Sequence, residues 1–450
     1  MYPLALGVAT TSKMINALAQ HAATIDTQYR EAIAALVARS DTVLIGDASH
    51  GTSEFYRERA TFTQRLIEYF GFNAVVVEAD WPDAYRVDRF VCDASDDSTP
   101  EEALKDFQRF PLWMWRNQET ADFISWLRTF NSLHPHRTCG FYGMDLYSLH
   151  SSMRAVVEYL KQIDPEAAIR ARERYSCFDR YGTDPQHYGY LAMLGDDKGC
   201  LNAVREQLSE MESSAKKWVD EDRPFSPAAF FVAEQNARLA LHAEEYYRTM
   251  FSGRVNGWNL RDSHMAETLE ALERFLRRNG IEPKIVVWAH NSHLGNASAT
   301  EMSTYGEFNV GELIRKRKGS KALAIGMTTY DGSVMAADDW DGPHSEHLVQ
   351  PALEESFEHL FHTTALGADF AIVLRDAPRD LEMQLAHRLE RAIGVVYRPR
   401  TERQSHYFRA DIIRQFDVVM HMDRTHAVAP LDPIERASVS ELPETYPTGE

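Results

Sequence analysis

The chain is short of several things, and each shortage narrows what it can be. Four cysteines, Cys92, Cys139, Cys177 and Cys200, are spread over 450 residues, and no two stand at the C-x-x-C spacing. That leaves no zinc knuckle and no dithiol redox motif, and so low a cysteine content predicts a reducing, cytoplasmic setting. No apolar run reaches the roughly 18 residues of a membrane span. The segment from Met1 to Val8 lacks a basic leader, which argues against a secretory signal. Positive charge is scarce: 48 Lys and Arg face 67 Asp and Glu, for a formal net charge of −19. Neutralising phosphates requires cations, so a non-specific nucleic-acid partner is not expected. Several familiar motifs are missing as well. There is no G-x-S-x-G elbow, no H-E-x-x-H helix and no P-loop, and no two glycines bracket a single residue. An ordinary hydrolase serine, a zincin site, a phosphate cradle and a dinucleotide fingerprint are therefore unsupported. Water activated by a histidine is the simplest nucleophile left.

What is present reads as an α/β protein. Hydrophobic residues make up 44% and charged residues 26%, an ordinary globular composition. Apolar runs at 42–46, 75–77, 139–145, 284–289, 321–327, 369–374, 393–397 and 416–422 predict strands. Helical periodicity predicts helices at 14–40, from about 53 to 69, and at 82–94, 101–109, 118–131, 309–318, 351–360 and 379–392. The strand–helix–strand order implies right-handed crossovers and a mostly parallel central sheet flanked by helices. Between about 150 and 278 strand signals vanish and helical patterns dominate, as at 151–163, 199–219, 227–250 and 259–278. The expected organisation is a first part of the core at 1–150, a helical subdomain or lid at 151–280, the second part of the core at 281–430 and a disordered tail at 431–450.

Three of the strands end in ionisable residues. Val43-Leu44-Ile45 runs into Gly46-Asp47-Ala48-Ser49-His50-Gly51, with Glu54 just beyond. Val75-Val76-Val77 runs into Glu78-Ala79-Asp80. Ile285-Val286-Val287-Trp288-Ala289 runs into His290-Asn291-Ser292-His293. Strand ends that open into loops are where α/β proteins place chemistry. A lone strand-end histidine is more often structural than catalytic. Three such tips suggest one site, because burying many charges without pairing them is costly. Carboxylates and histidines that tune one another suit general acid–base work. Of Arg57 and Arg59, one should face inward, where it could hold a carboxylate or an oxyanion. Trp113, Trp115 and Arg116 line either a substrate cleft or a buried aromatic corner. Asp145, at another strand end, and His406, in a polar–aromatic cluster, join them as substrate-binding candidates. Asn259, Arg261, Asp262 and His264 read as the capped start of a long helix.

These residues resemble the erythromycin esterase family. The likeness rests on 46–55, on Gly71-Phe72 with Glu78, on Trp288-Ala289-His290-Asn291-Ser292-His293, on Trp113-Met114-Trp115-Arg116-Asn117, on Phe141 to Asp145 and on Trp258 to Asp262. It extends over roughly 15–425. The resemblance implies an α/β core with a helical part, and hydrolysis of an ester or lactone by water that a general base activates. It gives His50 as the base, Glu78 as an acid, Arg59 as a site arginine and His290 with His293 as the paired histidines. Where the family carries Glu three positions before the base, this chain carries Asp47. The expected partner is a small-molecule ester or lactone, conceivably a macrolide, without nucleic acid or membrane and without a required cofactor. Two other readings stay open from the residues alone. The cluster could hold a divalent metal that activates the water. Or the cleft could bind a small ligand without turning it over.

Overall fold

The computed structural model describes residues 18, 22–24, 33–194, 199–219, 227–364, 369–377, 385 and 387–432. The strands are β1 (Ala22–Thr24), β2 (Thr42–Asp47), β3 (Ala74–Asp80), β4 (Gly140–Asp145), β5 (Ile285–His290), β6 (Ala322–Ala337), β7 (His344–Val349), β8 (Asp369–Val373), β9 (Arg388–Arg391), β10 (Tyr407–Ala410) and β11 (Val418–Thr425). They fall into two compact units. One comprises 1–75, 89–140 and 283–450; the other comprises 76–88 and 141–282.

In the first unit the strands lie in the order β1, β8, β11, β6, β2, β5. The β2–β5, β2–β6 and β6–β11 pairs are parallel, whereas β8 joins β11 antiparallel. All six residues of both β2 and β5 are buried. Strands covered on both faces need no polar alternation, which is why they read as unbroken apolar runs. The helix Ser53–Phe70 follows β2 and stops at Gly71, whose φ of 72° suits a residue without a Cβ. The helix Val310–Lys318 connects β5 to β6 and is capped by the Asn309 side chain. β6 is long: after its first half pairs with β2, its second half pairs antiparallel with β7.

The second unit pairs β3 with β4 and is otherwise helical. Its helices are Leu149–Ile163, Pro165–Tyr175, Pro185–Leu194, Leu201–Val219, Pro227–Thr249 and Arg254–Arg278. A Cys177–Cys200 disulfide ties the turn after the second of these to the start of the fourth. Sequence spacing hid that pair, since 23 residues separate the two cysteines. Among the described residues no helix is long and apolar enough to cross a membrane.

Three expectations need correction. The helix expected at 14–40 is interrupted by β1, which pairs antiparallel with β8; the described helical turn there is 33–37, and most of the remainder lies outside the described residues. The helix expected at 379–392 ends instead in β9, paired with β10, while 378–384 lie outside the described residues. At 393–397 there are isolated bridges, Ile393 to Ser49 and Val396 to Ala337, in place of a strand. In each case long-range pairing overrode a local pattern. The tail from 433 onward also lies outside the described residues.

Candidate active site

The site in the first unit begins where β2 and β5 end side by side. Their register sets Asp47 opposite His290. Beyond Asp47 the chain turns through 48–53, and backbone hydrogen bonds fix that turn on several sides. The Ile393 amide donates to the Ala48 carbonyl, and the Met335 and Val428 amides donate to the Gly51 carbonyl. A Cβ on Gly51 would lie 1.9 Å from the Met335 carbonyl oxygen, so glycine is required for this approach. Thr52 starts the next helix without capping it through its side chain; its hydroxyl meets that of Ser49 instead.

The turn points His50 back at its own strand end. His50 Nδ1 lies 3.3 Å from Asp47 Oδ1, and Asp47 Oδ2 accepts from Arg59 Nη1 at 2.7 Å. Arg59 is the inward arginine. It is 1% exposed, while Arg57 sits on the surface with Glu54. Aromatic rings surround its guanidinium: Tyr56 at 4.2 Å, Trp288 at 4.8 Å and Trp115 at 5.6 Å. Such faces attract a cation, more strongly once it is desolvated. The cradle is itself held in place. Trp288 Nε1 donates to Thr63 at 2.9 Å, and the Tyr56 hydroxyl donates to the Met114 carbonyl at 2.6 Å. Burial pushes the Tyr56 phenol far above its ordinary pKa, so it stays a neutral donor.

From β5, His290 faces His50 with ring centroids 5.0 Å apart. The Ser292 amide donates to His290 Nδ1 at 3.2 Å. A backbone N–H can only donate, so Nδ1 carries the lone pair and the neutral ring holds its proton on Nε2. His293 is buried on the short helix Asn291–Leu294. The His290 ring is tilted 56° to that of His50. Between them, β2, β5 and the helix Ser53–Phe70 bring together Asp47, His50, Arg59 and His290.

The second unit holds a cluster of its own residues. Arg261, on the helix Arg254–Arg278, donates to both oxygens of Asp145, from Nε at 2.9 Å and from Nη2 at 2.6 Å, and to Glu78 Oε1 at 2.7 Å. Burial opposes its charge, but Asp145, Tyr147 and Glu78 hold its pKa well above the ordinary value. Asp80 Oδ1 accepts from the Tyr147 and Ser148 amides at 2.7 and 3.2 Å. Close by in sequence, His264 Nδ1 meets His242 Nδ1 at 2.8 Å, and burial lowers the pKa of both. The helix carrying Arg261 begins at Arg254, so 259–264 lie within the helix and are not a capped start; Arg261, Asp262 and His264 are buried there. The signal for Arg261 was present in the Trp258 to Asp262 motif, but a capping interpretation concealed it.

The remaining candidates are placed as follows. Trp113 and Trp115 are both buried. Arg116 is paired with Asp432 and also donates to the Lys105 carbonyl. His406 is fully buried, accepts from the Arg398 amide on Nε2 at 3.0 Å and packs on Tyr397; burial lowers its pKa to about 4. Among the described residues, no three His, Cys, Asp or Glu side chains are grouped so that they could hold a metal ion.

Comparison with known proteins gives the family and the fold. The sequence model of the erythromycin esterase family matches residues 67–425. YbfO of Bacillus subtilis (strain 168) is 20% identical over 401 residues, covering 85% of this chain and 83% of that one. Erythromycin esterase type II of Escherichia coli is 20% identical over 367 residues, covering 77% and 84%. A Bacillus cereus protein shares the fold with a TM-score of 0.78 at 19% identity, over 94% of this chain and 99% of its own. An erythromycin esterase mutant in its open conformation superposes with a TM-score of 0.67 at 19% identity, over 91% and 96%. The chain belongs to the erythromycin esterase family, and with it to the hydrolases.

Proposed function

We propose that the protein hydrolyses a carboxylic ester or lactone with a water molecule that His50 deprotonates. The observation that carries this reading is the relay Arg59–Asp47–His50, with His290 facing the base. Asp47 lies against His50 Nδ1 and so favours the tautomer that carries its proton there and its lone pair on Nε2, the atom that takes the proton. Water oxygen attacks the carbonyl carbon as its proton passes to His50 Nε2. Asp47 supports the imidazolium that forms. The carbon–oxygen bond to the leaving group then breaks, and the alkoxide recovers the proton from His50 Nε2, which restores the neutral base. Before that, the Nε2–H of His290 is the donor suited to the developing oxyanion.

Arg59 enters this scheme as a positioning residue. It is enclosed by rings and bound to Asp47, so it acts through Asp47 and is not the group that meets the oxyanion. A macrolide lactone is the favoured substrate class, since an erythromycin esterase is among the relatives. No step is routed through a metal. The test is turnover of macrolides and simple lactones by the purified protein and by His50→Ala. General-base help is worth about 10²–10⁴ in rate, and a loss of that size is expected with folding intact. Unchanged turnover in His50→Ala would end the proposal.

A further inference from the structure

One buried side chain next to the site does something the reaction scheme leaves unexplained. Asn291 follows His290 directly and is fully buried. Its amide reaches across the end of β2 to the backbone of β6. Nδ2 donates to the Met327 carbonyl at 2.9 Å, and Oδ1 accepts from the Met327 amide at 3.4 Å. The same Nδ2 lies 3.5 Å from Glu390 Oε1. Serving both backbone groups of Met327 fixes the amide's orientation, since a flipped amide would oppose donor to donor.

The reach is needed because of how the strands part. β2 pairs with β6 as far as Ile45 and Ile325, but continues beside β5 to Asp47 and His290. At Met327, two residues further on, the Asn291 amide supplies the donor and acceptor that a strand peptide would offer. It can do so because it passes over a glycine. A Cβ on Gly46 would lie 2.3 Å from Asn291 Oδ1. Gly46 is the residue immediately before Asp47.

β6 also holds the other histidine. The Met335 amide donates to the Gly51 carbonyl at 3.0 Å, in the turn that presents His50. The His50 turn and the His290 strand end are therefore both attached to one continuous strand, at Met335 and at Met327. We propose that Asn291 is a positioning residue that, by clamping the β5 end to β6 over Gly46, sets the distance between His290 and His50. Burial, with Glu358 beside it, raises the Glu390 carboxyl well above the usual range. The effect on rate rests on the hydrolytic reading above; the effect on histidine geometry does not.

The test uses Asn291→Ala, Gly46→Ala and the double variant of the full chain. Asn291→Ala should lower kcat on a lactone about 10–100-fold with KM within about twofold, since small misplacements of reacting groups cost rates of that order. It should also move the NMR titrations of His50 and His290 and the acid limb of the kcat profile. Gly46→Ala should lower Tm, because its methyl meets the amide. Adding Asn291→Ala should recover part of that Tm without recovering kcat. If Asn291→Ala does not fold, Asn291→Asp keeps the acceptor for Met327, loses the donor and carries the same readouts. Unchanged histidine titrations in the folded variant would overturn the proposal. So would a double variant no more stable than Gly46→Ala alone. Shifted titrations in a protein whose wild type hydrolyses no ester would uphold the clamp and remove the hydrolytic reading.

Discussion

In the first unit one carboxylate, Asp47, is divided between a guanidinium and an imidazole. In the second unit one guanidinium, Arg261, is divided between two carboxylates, Glu78 and Asp145. The residue types are nearly the same and the consequences differ. Asp47 lies against the His50 imidazole as well as the Arg59 guanidinium, so an imidazolium formed there meets a carboxylate. In the Arg261 cluster the guanidinium donates to both carboxylates. The first arrangement suits chemistry. The second suits holding β3, β4 and a helix together.

Substitutions can break this comparison, and the largest effect should come from the carboxylate of the first cluster. Asp47→Asn keeps the shape but loses the charge that supports the imidazolium. Turnover should fall about 10²-fold or more, within the range of general acid–base help, measured as kcat at saturating lactone. An Asp47→Asn enzyme with near-normal kcat would show that His50 works without its partner. Next come the two arginines. Removing one partner of a buried pair costs about 3–5 kcal/mol. Arg261→Met strands two carboxylates and Arg59→Met strands one, so the Arg261 variant should be the less stable in urea. Activity per folded molecule should show the reverse order. The same order in both measurements would erase the distinction between the clusters.

Glu78→Gln sharpens it further. Glutamine keeps an oxygen for Arg261, and Asp145 keeps both of its hydrogen bonds, so kcat should drop far less than in Asp47→Asn. A drop of equal size would make Glu78 a participant in the reaction.

The smallest effect concerns pH. His406 in the first unit and His242 in the second both have pKa values lowered to about 4 by burial. Each binds its proton more weakly when folded, so its contribution is present above the unfolded value of about 6.5 and is lost as pH falls through 4. Each could cost on the order of 3 kcal/mol over that window. Asp88 opposes them. Burial raises its carboxyl to about 7, so its contribution is present at low pH and lost as pH rises through 7. Thermal melts from pH 7 to 4 should show falling stability, and His242→Gln should flatten the slope. An unchanged slope in that variant would mean His242 takes up its proton normally in the folded protein.

The strand tips were legible because buried parallel strands write themselves as apolar runs, and the ionisable residues at their ends interrupt those runs. Gly71 as a helix stop followed from local rules as well; those rules put one of Arg57 and Arg59 inward, and the fold makes it Arg59. The clamp was not legible. Asn291 stands in a histidine motif that drew attention to His290 and His293, and nothing in the sequence says that its amide reaches β6. Arg261 was visible but was assigned to a helix start, because the turn of helix before it carries no apolar signal strong enough to reveal it. β9 carries Glu390 and Arg391 in its interior, and such charges read as a helical surface until their partners are known.

By itself the sequence determined the buried parallel strands of the core, which of them end in acid or imidazole, and the family. Those depend on short-range facts: apolar runs, glycine stops and residue type at each tip. Tertiary structure decided the roles. It divided Asp47 between Arg59 and His50, set the ring of His290 beside that of His50, closed Cys177 on Cys200, and laid Asn291 over Gly46. Each of these joins residues that the chain order keeps apart or leaves equivalent, and a hydrogen bond depends on distance and direction, which only the folded backbone supplies.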